Sequence, residues 1–248
     1  MKSLLTLLLL AIVSFSNAQH KETRKISKIS GISVASGIQA KFIKSSKNEV
    51  VVDVSREDIL PKIETIVRNG NLQIKVKNGS EIRNANSLKV TVYSNSVINS
   101  INLSSAGNLE ILDAIDVSDF SADISSAGKL KTGKITANNT TLNLSSAGKM
   151  NSDLMSEKLS INTSSAGEVT LSGMSKQLKV NMSSNGKALL NNFKTSTLEV
   201  NGSSGAILNV EVINSIDANV SSGAKVIYSG NPVTKDINKS SGGTVSRD

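Results

Sequence analysis

Four times in this chain a serine is followed three places later by a lysine: Ser126 with Lys129, Ser146 with Lys149, Ser184 with Lys187 and Ser222 with Lys225. In penicillin-binding enzymes the Ser-x-x-Lys spacing sets a nucleophilic hydroxyl beside an amine. Such an enzyme needs one serine at the start of a helix. Here the pair recurs at a fixed interval inside a small-residue string, which points to a repeated structural corner. A serine–histidine nucleophile fares no better. The one histidine, His20, lies in a polar N-terminal stretch, and an activated serine needs an adjacent, oriented base.

Other chemistries are bounded by composition. The chain has no cysteine, so thiolate nucleophiles and thiolate metal sites are excluded. Calcium-binding β-rolls repeat Gly-Gly-x-Gly-x-Asp, and the corners here lack the aspartate. No cofactor or metal is implied. The densest carboxylates are Asp113, Asp116, Asp119 and Asp123. A polysaccharide lyase or hydrolase would need paired carboxylates at a set separation in a groove. The same spacing suits a solvated strand and loop, and with four Phe, two Tyr and no Trp the chain is short of the flat rings that sugar clefts offer.

The elements that would position these residues are set by an internal repeat. Ser-Ser corners begin at Ser104, Ser125, Ser145, Ser164, Ser183, Ser203, Ser221 and Ser240, spaced by 18 to 21 residues. Three places before each stands an apolar residue, from Ile101 to Ile237. Two places before stands an amide or its acid: Asn102, Asp123, Asn143, Asn162, Asn181, Asn201, Asn219 and Asn238. Apolar, polar, apolar is the period of a strand with one buried face. Glycine in the corner is expected to supply the positive φ of a tight turn. Each repeat then reads as strand, corner, strand and a looser polar connection.

A unit this short buries its apolar face only by stacking on its neighbours. Leucine-rich repeats share the period but require a Leu-x-x-Leu-x-Leu spacing that is missing. The expected fold is all-β: a right-handed parallel β-helix with rungs of about 18 to 21 residues. Identical amides at strand spacing can hydrogen-bond along the column, so the Asn row is read as a structural ladder. The Asn-x-Ser sequons follow from that row and carry no separate evidence for glycosylation.

The ends and the first hundred residues read differently. Residues 1–18, with Lys2, the apolar run Leu4 to Val13 and small Ser16 and Ala18, have the form of a secretory signal peptide. Residues 19–28 are polar and expected to be disordered. The β-helix domain is placed at 29–248, with irregular rungs over 29–100, where no corner is apparent, and regular rungs over 101–245. Within the irregular part, Ile59, Leu60, Ile63, Ile66 and Val67 fall at helical spacing between Asp58 and Gly70. That segment predicts a short helix capping the open edge of the column.

The strings "SGIQAKF" and "ILPKIETIVRNGNLQIKV", followed by the train of Ser/Ala/Gly corners, resemble the putative auto-transporter adhesin, head GIN domain family. That family is a domain of unknown function common in exported proteins of Bacteroidetes. The resemblance implies a right-handed β-helix, a periplasmic or outer-surface location and an adhesin role, and it brings no catalytic residues.

The net charge of +8 is carried by basic residues scattered singly. Nucleic-acid binding would call for clustered arginine and stacking aromatics, so it is excluded as a partner class. The expected function is non-catalytic: an exported solenoid binding an extracellular glycan or cell-surface protein, with no transmembrane segment after the leader. Its contact zone is placed at the lysines beside the corners, Lys129, Lys149, Lys187 and Lys225. A polysaccharide-cleaving enzyme and a purely structural envelope element are the alternatives.

Overall fold

The computed structural model describes residues 20–83 and 87–248. The predicted signal peptide lies outside the described residues. The protein is a parallel β-solenoid of about seven turns, 66% strand and 3% helix.

The N-terminal part contains β1 (His20–Lys25), β2 (Gly31–Val34), β3 (Gln39–Lys44), β4 (Glu49–Val54), β5 (Ile63–Arg68), β6 (Asn71–Val76) and β7 (Leu88–Ser94). The column continues through β8 (Ser100–Leu103), β9 (Asn108–Ile111) and β10 (Ile115–Ile124). Five long strands follow: β11 (Lys129–Leu144), β12 (Lys149–Thr163), β13 (Glu168–Met182), β14 (Lys187–Gly202) and β15 (Ile207–Val220). The last are β16 (Lys225–Ser229), β17 (Thr234–Lys239) and β18 (Thr244–Arg247).

Each long strand alternates one side chain in and one side chain out, and breaks that alternation where it bends. In β11 the buried residues are Leu130, Thr132, Ile135, Ala137, Thr140, Leu142 and Leu144. The inward step lengthens from two residues to three at Thr132–Ile135 and again at Ala137–Thr140. With the serine corner this makes a three-sided turn. What the sequence suggests is a loose connection is therefore strand as well. The inside is filled mainly by Ile, Leu and Val from every turn, and buried hydroxyls pair across turns, as Thr132 does with Ser152 at 2.7 Å. Insertions that change the repeat length are absorbed at the bends. The β11–β12 register slips between Lys131 and Lys134, while the residues flanking the corner stay aligned.

The corners depart from expectation in an instructive way. In the Ser-Ser-Ala-Gly copies the left-handed residues are the second serine and the alanine: Ser146 has φ 47° and Ala147 φ 61°. The glycine closes the turn, donating its N–H to the first serine (Gly148 to Ser145, 2.8 Å). It is needed for a different reason: a Cβ on Gly148 would stand 2.3 Å from the Ile124 carbonyl oxygen of the preceding turn. A left-handed non-glycine residue costs about 1–2 kcal/mol. Stacking offsets this cost, because the Ala147 N–H donates forward to Ser165 O at 3.0 Å while Ser145 N–H donates back to Ile124 O at 3.0 Å.

The N-terminal region corrects three expectations. First, it does contain a corner: Ala35–Ile38, with Ser36 at φ 63° and Gly37 at φ 68°. It stacks directly on the corner at Ser104, Gly37 N–H bonding Ser105 O at 2.9 Å. Residues 45–83 and 87–99 leave the column between these two turns and return as its cap. There β6 and β7 pair parallel with β2 and β3, and β5, β4 and β1 continue outward as antiparallel strands. Second, the predicted helix is a six-residue 3-10 helix, Glu57–Lys62, and the rest of the predicted segment is strand. Pro61 has no N–H to continue a helix, and the β-branched Ile63, Thr65, Ile66 and Val67 favour a strand; Asn69 and Gly70, both at positive φ, close the β5–β6 hairpin. Third, the segment expected to be disordered holds β1. Its order comes from backbone pairing with β4 and from Arg24, whose guanidinium donates to Leu60 O, Ile63 O, Thr65 Oγ1 and Glu22 Oε2.

Candidate functional site

Because the turns are in register, residue types that recur in sequence become columns on the surface. The predicted amide row is one of them. Asn102, Asp123, Asn143, Asn162, Asn181, Asn201, Asn219 and Asn238 occupy matched positions on adjacent strands. From Asn201 back to Asp123 each amide donates to the preceding side chain, at 3.3, 3.0, 2.8 and 2.7 Å. Beyond Asn201 the chain of bonds is broken. Asn219 and Asn238 donate instead to Asp217 and Asp236, the carboxylates two residues earlier on their own strands. A charged acceptor on the same face outcompetes a neutral amide one turn away. This row and the column of first serines flank a groove of about 1010 Å³, charged only by Asp123 at one end and Lys239 at the other.

The four Ser-x-x-Lys pairs lack the helix start that the penicillin-binding arrangement requires. Ser126, Ser146, Ser184 and Ser222 occupy the exposed second position of the corner turn, with positive φ and no helix behind them. His20 is on β1, the outermost strand of the cap. Three of the four acidic residues of β10 and the segment before it are committed to neighbouring turns. Asp113 accepts the Lys44 backbone N–H at 2.9 Å, and Asp119 accepts from Asn139 Nδ2 at 2.9 Å. Asp123 begins the amide ladder, and Asp116 is exposed. Among the described residues no three His, Cys, Asp or Glu side chains gather as metal ligands.

The lysines lie on the next face, just past the corner. Lys129, Lys149, Lys187 and Lys225 share one column, interrupted by Glu168 and Ile207. Toward the N-terminus the column continues through Asn108, Gln39 and Lys89, where the cap joins the repeat. Two residues along each strand a second column runs Thr91, Lys41, Glu110, Lys131, Asn151 and Thr170. The two columns line a groove of about 610 Å³ with Ala40, Val90, Leu130 and Met150 as its floor. It crosses six strands, roughly 24 Å at the strand spacing.

Only Lys129 and Lys149 of the four predicted lysines enter this groove. Lys187 and Lys225 stand further along, beside Leu189 and Ile227 of the second column. Lys41, Lys89 and Lys131 were not singled out by sequence. Lys41 comes from the first turn and Lys89 from the cap, and the registration of neither with the repeats has a signal in residue spacing; Lys131 could have been found by counting two places past Lys129.

Solved structures share this architecture. A putative adhesin from Parabacteroides merdae aligns with a TM-score of 0.79 at 15% identity, covering 93% of this chain and 96% of that one. A putative adhesin from Parabacteroides distasonis aligns at 0.78 and 17%, covering 93% and 97%. A protein from the same species described as a putative lipid binding protein aligns at 0.75 and 20%, covering 93% and 96%. At these identities the likeness establishes the fold alone. No curated protein sequence matches the chain. No helix among the described residues is long and apolar enough to cross a membrane. The model of one family, described as putative auto-transporter adhesin, head GIN domain, matches residues 29–232, and this chain belongs to that family.

Proposed function

We propose that the protein is an exported, non-catalytic solenoid that holds a glycan or protein of a cell surface against its flank, in the periplasm or on the outer surface. The observation that carries this reading is the registered column of outward lysines, Lys129, Lys149, Lys187 and Lys225, on one flat face. A face of this kind meets an extended partner through many weak, evenly spaced contacts, which is how repeat solenoids commonly bind. Two further facts support it. The family carries an adhesin label. In the densest acidic cluster, Asp113, Asp119 and Asp123 already accept hydrogen bonds from neighbouring turns.

The test is one incubation of the purified protein with a panel of cell-surface polysaccharides and envelope proteins. Retained protein and released oligosaccharide are scored together. Retention without release, lost when the four lysines become glutamate, is the expected result. Released sugar fragments would replace this reading with a β-helical polysaccharide-cleaving enzyme. Retention that ignores the lysines would move the contact zone elsewhere.

A further inference from the structure

We propose that the 610 Å³ groove at the junction of cap and repeats is a binding site for a linear anionic polysaccharide lying across the strands, parallel to the solenoid axis. This deepens the surface-binding reading above and rests on it.

The charge of the groove selects an anion. Five lysines (Lys41, Lys89, Lys129, Lys131 and Lys149) face two glutamates (Glu110 and Glu168), an excess of three positive charges. The excess has a definite place. Glu110 is shared by Lys41 at 3.6 Å and Lys131 at 3.5 Å, and Glu168 pairs with Lys149 at 3.6 Å. Lys89 and Lys129 have no ion pair within 4.0 Å among the described residues, and both are exposed. They stand on one column three strand steps apart, roughly 14 Å. Between and beyond them the same two columns offer Gln39, Asn108, Asn151, Thr91 and Thr170. Uncharged amides and hydroxyls among lysines match a chain that alternates sugar hydroxyls with acid groups.

The remaining polyanions fit less well. No aromatic side chain lines the groove, so bases of a nucleic acid would find no stacking platform. Its apolar residues are a buried floor, with Ala40 5% and Leu130 3% exposed, which leaves nothing to enter a lipid surface. Each strand beneath it is paired on both sides, so an acidic peptide cannot add as a further strand. The strip also ends where it should: past Thr170 the second column becomes Leu189, and past Lys187 the first becomes Ile207.

The purified protein is titrated with fluorescent polygalacturonate and dextran sulfate, and in parallel with neutral dextran, duplex DNA and phosphatidylglycerol vesicles. Circular dichroism verifies that each variant is folded. Binding of at least one anionic polysaccharide is expected, weakening with added salt because exposed charges are screened over about 8–10 Å. Lys89→Gln with Lys129→Gln weakens it about fivefold or more, and Glu110→Gln, which frees Lys41 and Lys131, tightens it about threefold. Lys134→Gln with Lys158→Gln, exposed lysines outside both columns, changes it by less than about twofold. The two polymers separate carboxylate from sulfate recognition. Absence of binding to both, indifference to the Lys89/Lys129 pair, or equal binding of DNA or vesicles overturns the proposal. Retention of neutral dextran or a surface protein, unchanged by the Lys89/Lys129 pair, would leave the surface-binding reading standing while removing this groove from it.

Discussion

Asn143 donates an amide hydrogen to the Asp123 carboxylate across 2.7 Å, and this bond sets the polarity of the row behind it. A carboxylate only accepts, so Asn143 must present Nδ2 to Asp123 and Oδ1 to Asn162, and the same orientation passes up to Asn201. Adding a second carboxylate beside Asp123 should therefore cost more than removing the first. Asn143→Asp sets two acceptors face to face, and it should lose about 1–2 kcal/mol at pH 7 from the missing hydrogen bond and like-charge contact. Protonating one of the two carboxylates in acid restores a donor to the pair and removes the like charge, so the deficit shrinks at low pH. Asp123→Asn, which keeps an acceptor, should stay within about 0.5 kcal/mol of wild type. Urea unfolding of both variants at pH 7 and pH 3 checks the sign.

The corner makes an opposite pair of predictions at adjacent residues. Ala147→Gly relieves a left-handed alanine at φ 61° and should stabilise the fold by about 0.5–1 kcal/mol, after the greater freedom of glycine in the unfolded chain is counted. Gly148→Ala places a Cβ 2.3 Å from Ile124 O, a backbone atom locked in the ladder, and should cost about 3 kcal/mol or prevent folding. Denaturation midpoints for the two variants decide it. If Ala147→Gly were the damaging one, the closing glycine would be supplying conformation and not clearance.

The columns were legible in the sequence because stacking converts a period directly into position. Asn143 and Asn162, or Lys129 and Lys149, are aligned by counting alone. The basic groove was only half legible for the same reason. Lys89 reaches it from β7, within the excursion that includes the antiparallel strands β4 and β5, and no period links Lys89 to Gln39. The corner at Ala35–Ile38 was hidden because alanine replaces its first serine and its partner in space, Ser104, is far along the chain. The division of labour between Ala147 and Gly148 was hidden too, since both residues are small and only the neighbouring carbonyl distinguishes them.

One irregularity in the core is a size match between neighbouring turns. Gly173 and Phe193 are partners on β13 and β14, and Phe193 is 1% exposed in the interior. A Cβ on Gly173 would approach Leu154 O to 2.1 Å, so this turn offers no side chain and the ring occupies the inner volume beside it. Phe193→Ala should cost about 3–5 kcal/mol, and Phe193→Leu distinctly less, because the residual cavity is smaller. Thermal unfolding of the two variants gives the comparison; equal losses would mean that the ring's volume is not what the site requires.

The cap should be the acid-labile part of the molecule, through Arg24. Its guanidinium joins β1 to the 3-10 helix and β5 by bonds to Leu60 O at 2.9 Å and Ile63 O at 2.7 Å, and it holds Glu22 at 2.7 Å. The hydrogen bond from Arg24 is the largest influence on Glu22 and holds its carboxyl below the usual carboxylate range, against the opposing effect of burial. A carboxyl lowered in the folded state contributes stability above its unfolded pKa and loses it as pH falls through the folded value. The protection of the β1 amides, taken relative to intrinsic exchange at each pH, should therefore fall below about pH 4, the ordinary glutamate range, while protection in the column is unchanged. Glu22→Gln removes the titrating carboxylate and should flatten this pH response. Arg24→Met should expose β1 at every pH, because its bonds to two backbone carbonyls are lost with it. If β1 in Arg24→Met stayed as protected as in wild type, backbone pairing with β4 alone would be sufficient to close the N-terminal edge.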